Sequence, residues 1–115
     1  MNFESIRQYC LSFPHATKDI QWKTSLLFRV GGKIFASLSL NQYAQEKLAF
    51  KCRPEIYFDL IERDGIKPAP YVARYHWVAL ERFDALSEQE LKSLIEDSYQ
   101  MVFSKLPGKI KSQLK

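Results

Sequence analysis

Side chains with the potential for chemistry are few and scattered along this chain. The two histidines are His15, after Pro14, and His76, before Trp77, and the two cysteines are Cys10 and Cys52. No HxH, HExxH or CxxC spacing joins them, so the sequence offers no metal ligand set. Ser25, Ser37 and Ser39 lack a nucleophile elbow, and neither thiol has a histidine at a spacing that implies activation. Glu55, Asp59 and Glu62 recur at helical spacing, the pattern of a solvated helix face better than of an acid–base pair, and Asp97 reads the same way. Gly31-Gly32 sits in neither a GxGxxG nor a GxxxxGK frame and joins two strands, where a phosphate loop would open a helix. These exclusions point away from an enzyme, a metal site, a cofactor and a small-molecule substrate.

Charge is the chemistry that remains. The net +4 conceals a segregation along the chain. Residues 20–53 carry Lys23, Arg29, Lys33, Lys47, Lys51 and Arg53 against Glu46 alone, a balance of +5, whereas residues 54–104 carry a balance of −5. The tail adds Lys105, Lys109, Lys111 and Lys115 with no acid. Aromatics are interleaved with these bases at Trp22-Lys23, Phe28, Lys33, Phe35 and Phe50-Lys51, a pattern that suits base stacking with phosphate neutralisation. The same pattern also fits core aromatics flanked by solvated, edge-protecting lysines, and pattern alone favours that plainer reading. The candidate nucleic-acid contacts are Lys23, Lys33, Lys47, Lys51, Arg53, Arg74, His76, Lys105, Lys109 and Lys111.

The elements that must position these residues follow from periodicity and punctuation. Asn2 is placed to N-cap a helix with Phe3, Ile6, Cys10 and Phe13 on one face, ended by Pro14. A short strand is expected around Ile20–Lys23, then a hairpin over Leu26–Leu40 turning at Gly31-Gly32, then a strand over Lys47–Cys52. Pro54 opens a short helix over Arg53–Arg63, stopped at Asp64-Gly65. After the extended Pro68-Ala-Pro70 passage, Tyr71–Phe83 has the aromatic and β-branched content of a strand, with Arg74 and His76 on one face and Tyr75 and Trp77, the latter read as core, on the other. Ser87 and Glu90 form a capping box ahead of a helix whose face runs Leu91, Leu94, Ile95, Ser98, Tyr99, Val102 and Leu106, until Pro107-Gly108 breaks it. The resulting order, α, three or four strands, α, one or two strands, α, predicts an α+β two-layer sandwich with one antiparallel sheet and helices on one face.

A two-residue turn would pair Val30 with Lys33, Phe28 with Phe35 and Leu26 with Ser37 on one face, and Arg29 with Ile34 and Leu27 with Ala36 on the other. Leu38 and Leu40 extend the second face. That register leaves Phe28 and Phe35 as a partly exposed patch near Lys33, and a one-residue bulge would exchange the faces.

At 115 residues, 46% hydrophobic and 26% charged, the chain reads as one ordered domain over residues 1–115 with a basic appendix at 106–115. The residues after Met1 lack a basic n-region and an apolar h-region, and no run approaches a membrane span, which predicts a soluble, cytosolic protein with reduced thiols.

Five segments in order, FPHATKDIQW, LLFRVGGKIFASLSL, KLAFKCRPE, PAPYVARYHWVAL and LIEDSYQMVFSKLPGKIK, resemble the MmcQ/YjbR family of small bacterial proteins. The resemblance spans about Phe3 to Lys111. It implies a fold likened to secretion chaperones and to the frataxin-type CyaY arrangement, and a DNA-binding role attributed to a double wing of strands. It brings no catalytic residues. Where relatives have a His and an Asn-Lys step ahead of the HW pair, this chain has Tyr71 and Ala73-Arg74, so the base is kept and the imidazole is not.

Two functions are therefore expected of different kinds. One is a DNA-binding module that contacts phosphates through a basic sheet face and lysine-rich tail. The other is a protein-interaction or chaperone-like module whose basic and acidic segments pair with an acidic partner or in a homo-oligomer.

Overall fold

The computed structural model describes every residue of the chain except Trp22, Gln42, Tyr71 and Lys115, so the expectations for Trp22, Tyr71 and Lys115 lie outside the described residues. Asn2 opens helix α1 (Phe3–Leu11) through a reciprocal cap: its Oδ1 accepts the Ser5 N–H at 2.8 Å, and Ser5 Oγ accepts the Asn2 N–H at 2.9 Å. Strands β1 (Thr17–Gln21), β2 (Ser25–Val30), β3 (Lys33–Ser39) and β4 (Leu48–Lys51) follow, then α2 (Pro54–Ile61), β5 (Ile66–Pro68) and β6 (Trp77–Leu80). Helix α3 (Glu88–Ser104) and a short α4 (Gly108–Gln113) complete the described chain. The six strands form one antiparallel sheet in the order β1-β2-β3-β4-β6-β5, with the helices packed on one face, as the α+β reading requires.

Two rows of side chains cross the sheet and make the floor of the core. One runs Leu26, Leu38, Leu48, Leu80, Ile66, and the next Phe28, Ala36, Phe50, Val78, all of them buried. Onto this floor the helices lay Ile6 and Cys10, Tyr57 and Leu60, and Leu91, Ile95 and Tyr99. Each large apolar side chain removed from water in this way contributes about 1.5–3 kcal/mol. Cys10 and Cys52 are unpaired and buried, and burial pushes their thiols up to about 12 and about 11, so both are poor nucleophiles at neutral pH.

The hairpin departs from the simple two-residue register. Val30 pairs with Lys33 and Arg29 with Ile34, but Phe28 then pairs with Ala36, Leu27 with Ser37 and Leu26 with Leu38, leaving Phe35 as a bulge without an opposite residue. The expected Phe28–Phe35, Leu26–Ser37 and Leu27–Ala36 pairs are therefore wrong. The bulge lets Phe35 join Ala36 in the core, and Phe28 and Phe35 are both fully buried, with Phe35 edge-on to Phe13 and Tyr99. No exposed aromatic patch exists on the hairpin, and Phe50 is likewise core.

A second departure lies between α2 and α3. The segment expected as one strand over Tyr71–Phe83 is a 3-10 turn at Ala73–Tyr75, the four-residue strand β6, and a second 3-10 turn at Phe83–Ala85. Strand alternation does not apply through the first turn. His76 closes it in the left-handed region at φ 65°, and its ring packs edge-on to Tyr57 at 5.3 Å, while the Arg74 guanidinium lies over the Tyr75 ring at 4.8 Å. Arg74 and His76 thus pack on different rings, Tyr75 and Tyr57, in place of sharing a strand face.

Gly31 and Gly32 take φ of 57° and 82°, the two positive angles of a type I′ turn. Gly31 has a further duty, because a Cβ there would stand 2.6 Å from Leu106 Cδ1 and 3.0 Å from Ile110 Cγ2. The α3–α4 junction is seated on the hairpin turn. Replacing either glycine by alanine imposes the left-handed penalty of about 1 kcal/mol, and Gly31→Ala adds the displacement of Leu106. Urea unfolding is expected to show Gly31→Ala losing about 2 kcal/mol and Gly32→Ala about half that; equal losses would contradict the seating of the junction on Gly31.

Candidate nucleic-acid interface

Strand direction divides the predicted basic residues between the two ends of the sheet. Lys23 lies in the β1–β2 turn and Lys33 just past the β2–β3 turn, so the length of β2, about 17 Å at the usual rise per residue, separates them. Lys47, at the start of β4, shares the Lys23 end: its amide donates to the Leu80 carbonyl and its Nζ reaches the Ala44 carbonyl at 3.4 Å. Neither Lys23 nor Lys47 belongs with Lys33.

At the Gly31-Gly32 end a notch of about 280 Å³ brings together Lys33, Lys51 and Lys105 with the rings of Tyr75 and Trp77, over Ile34, Val102 and Leu106. Among the described residues no acidic side chain lines it, and Lys33, Lys51 and Lys105 make no ion pair. Tyr75 is 51% exposed and carries Arg74 against its ring. Trp77, expected in the core, is only half-buried, and its register partner is Lys51. Burial, and then the neighbouring Lys105 ammonium, hold the Lys51 ammonium below the usual lysine range. An anion entering the notch would offset both by favouring the charged form.

Lys51 is positioned by a hydroxyl in the core. Beyond the Ala36–Phe50 pair, the β3–β4 register would next oppose Phe35 and Lys51, but the bulge displaces Phe35. Ser98, fully buried on α3, fills the gap: its Oγ donates to the Phe35 carbonyl at 2.6 Å and accepts the Lys51 N–H at 3.1 Å. Lys105 arrives from the same helix, one turn past Val102, and Leu106 beside it is anchored on Gly31.

The other predicted contacts stand apart from the notch. Arg53 is paired with Asp97 at 3.4 Å. Lys111 donates its Nζ to the Ser104 carbonyl at 2.8 Å, capping the end of α3, and Lys109 is exposed on α4. His76 is turned toward Tyr57. Arg29, within the basic segment, is tied to Asp19 at 2.8 Å. The acidic segment is partly neutralised internally by Arg63–Glu90 and by Arg82 with Asp64 and Asp84. Among the described residues no group of His, Cys, Asp and Glu is placed to hold a metal, and no helix is long and apolar enough to cross a membrane.

The sequence reading missed Tyr75 as the exposed ring and Ser98 as the residue that places Lys51. The signal for Ser98 was its position on an apolar helix face, since a buried hydroxyl must find partners.

Comparison with known proteins gives a consistent answer. The YjbR family model matches residues 11–101. A crystal structure of a Deinococcus radiodurans protein with the DUF419 domain is 23% identical and superposes with a TM-score of 0.83, covering 96% of this chain and 86% of that one. A crystal structure of a Pseudomonas syringae protein is 25% identical with a TM-score of 0.71, covering 89% and 99%. No curated protein matches the sequence.

Removing the Ser98 hydroxyl strands the buried Phe35 carbonyl and the part-buried Lys51 amide, so Ser98→Ala is expected to lose about 1–3 kcal/mol in denaturant unfolding. Ser104→Ala, on the exposed side of the same helix, is expected to change stability by less than about 0.5 kcal/mol. Equal effects would show that the Ser98 bridge does not hold the two strands.

Proposed function

The chain belongs to the YjbR family, and from that membership together with the notch we propose that it is a DNA-binding protein of the cytoplasm, without enzymatic activity. The observation that carries this reading is the convergence of Lys33, Lys51 and Lys105 in one aromatic-walled notch that, among the described residues, no carboxylate lines. Like charges gathered at one place repel unless an anion completes them, and phosphates are the anions that a cluster of ammonium groups beside flat rings fits best. Arg74 lies within reach of the same strand through its seat on Tyr75, and Lys109 extends the positive surface along α4. The binding surface is thus one end of the sheet with the α3–α4 junction, in place of the whole basic face expected from the sequence.

A second reading has its own observation. The outer side of α2 presents Phe58, 68% exposed, among Glu55, Asp59 and Glu62, an acidic patch with an apolar centre that complements the lysine notch of another copy. Light scattering separates the two: a salt-sensitive dimer that binds no DNA supports self-association.

A titration of labelled DNA across a salt series tests the first reading. Three phosphates neutralised predict a slope near −2.7 in log K against log salt on a duplex, at about −0.9 per phosphate. Lys51→Glu with Lys105→Glu is expected to abolish binding at about 50 mM salt, while Lys23→Glu leaves it within about twofold. Absence of binding by the unaltered protein at that salt would overturn the reading.

A further inference from the structure

The notch differs from a duplex-binding surface in two respects. Its positive groups are gathered around one small cavity, where a duplex backbone presents phosphates in a row along a groove. Its walls are rings available to a flat partner: Tyr75 is half-exposed with Arg74 stacked on one side, and Trp77 is half-buried beside Lys51. At about 280 Å³ the cavity lies just below the range of roughly 300–1,000 Å³ typical of pockets for drug-sized ligands, so it suits one or two planar rings. The bases of a duplex are stacked on each other and cannot present a face to Tyr75, whereas those of a single strand can.

We propose that the notch is a single-strand site, in which an unpaired base stacks on Tyr75 while Lys33, Lys51 and Lys105 hold the flanking phosphates. This inference rests on the DNA-binding reading and narrows it. Stacking is indifferent to base identity, because every base has a π face, so the site selects strandedness over sequence. Arg74 supports the stack from the guanidinium side of the ring.

The test uses the full chain, unaltered or as Tyr75→Ala or Tyr75→Phe, and three labelled probes of equal length: a single strand, its duplex, and an abasic strand that keeps the phosphates and lacks the bases. The single strand is expected to bind at least tenfold more tightly than the duplex or the abasic strand. Tyr75→Ala is expected to weaken single-strand binding about 5- to 150-fold and duplex binding by a smaller factor, with Tyr75→Phe close to the unaltered protein. Tyr75 is at the surface, so its replacement leaves the core intact, which circular dichroism verifies. If the abasic strand binds as well as the single strand and Tyr75→Ala changes nothing, while Lys51→Glu with Lys105→Glu still abolishes binding, the stacking inference falls and the DNA-binding reading stands. If no probe binds at low salt, both fall.

Discussion

The hydroxyl of Ser98 joins the two parts of the molecule that matter most, the interrupted β3–β4 ladder and the helix that covers it. Placing Phe35 in the core requires a bulge, and the bulge opens the ladder at the position where Phe35 and Lys51 would meet. The buried Phe35 carbonyl and the part-buried Lys51 amide, left without partners, would cost free energy comparable to a lost hydrogen bond. Ser98 reaches both, at 2.6 and 3.1 Å, so that the irregular point of the sheet becomes the place where α3 is fixed to it. With α3 fixed, its end delivers Lys105 beside Lys51, and Leu106 settles against the glycine turn that carries Lys33.

Electrostatics takes its form from this packing. Most arginines in the molecule are paired, Arg29 with Asp19, Arg53 with Asp97, Arg63 with Glu90 and Arg82 with two aspartates, and exposed pairs of this kind contribute little to stability. The notch lysines are the contrast. Three ammonium groups converge with no carboxylate among the described residues, and Lys51 is disfavoured as a cation by burial and by Lys105. Such an arrangement costs stability in isolation.

Much of the fold was legible in the sequence because it is written in local signals. Asn2, Ser87, Pro54 and the two adjacent glycines mark ends and turns by conformational preference, and the face from Leu91 to Leu106 repeats at helical period. The bulge was not legible. Phe28, Phe35 and Ala36 are all apolar, so either register buries a hydrophobic face, and only the helices above the sheet decide that Phe35 and Ala36 both go inward. The 3-10 turn before β6 was hidden for a similar reason: aromatic residues favour strands, but Ala73–Tyr75 turns, and the turn is what exposes Tyr75. As for the site, the sequence identified Lys33, Lys51, Arg74 and Lys105 as bases yet grouped them with Lys23 and Lys47, because net charge along a chain does not say which end of a sheet a residue occupies.

The convergence of Lys51 and Lys105 is the claim on which the site depends, and lysine side-chain NMR measures it directly. With the lysine methylenes followed through a pH titration, Lys51 should lose its proton at lower pH than the other lysines, since burial and the Lys105 ammonium both disfavour its charged form. Lys105→Gln should move the Lys51 titration upward, toward the others. A Lys51 that titrates with the remaining lysines and is indifferent to Lys105→Gln would contradict the account.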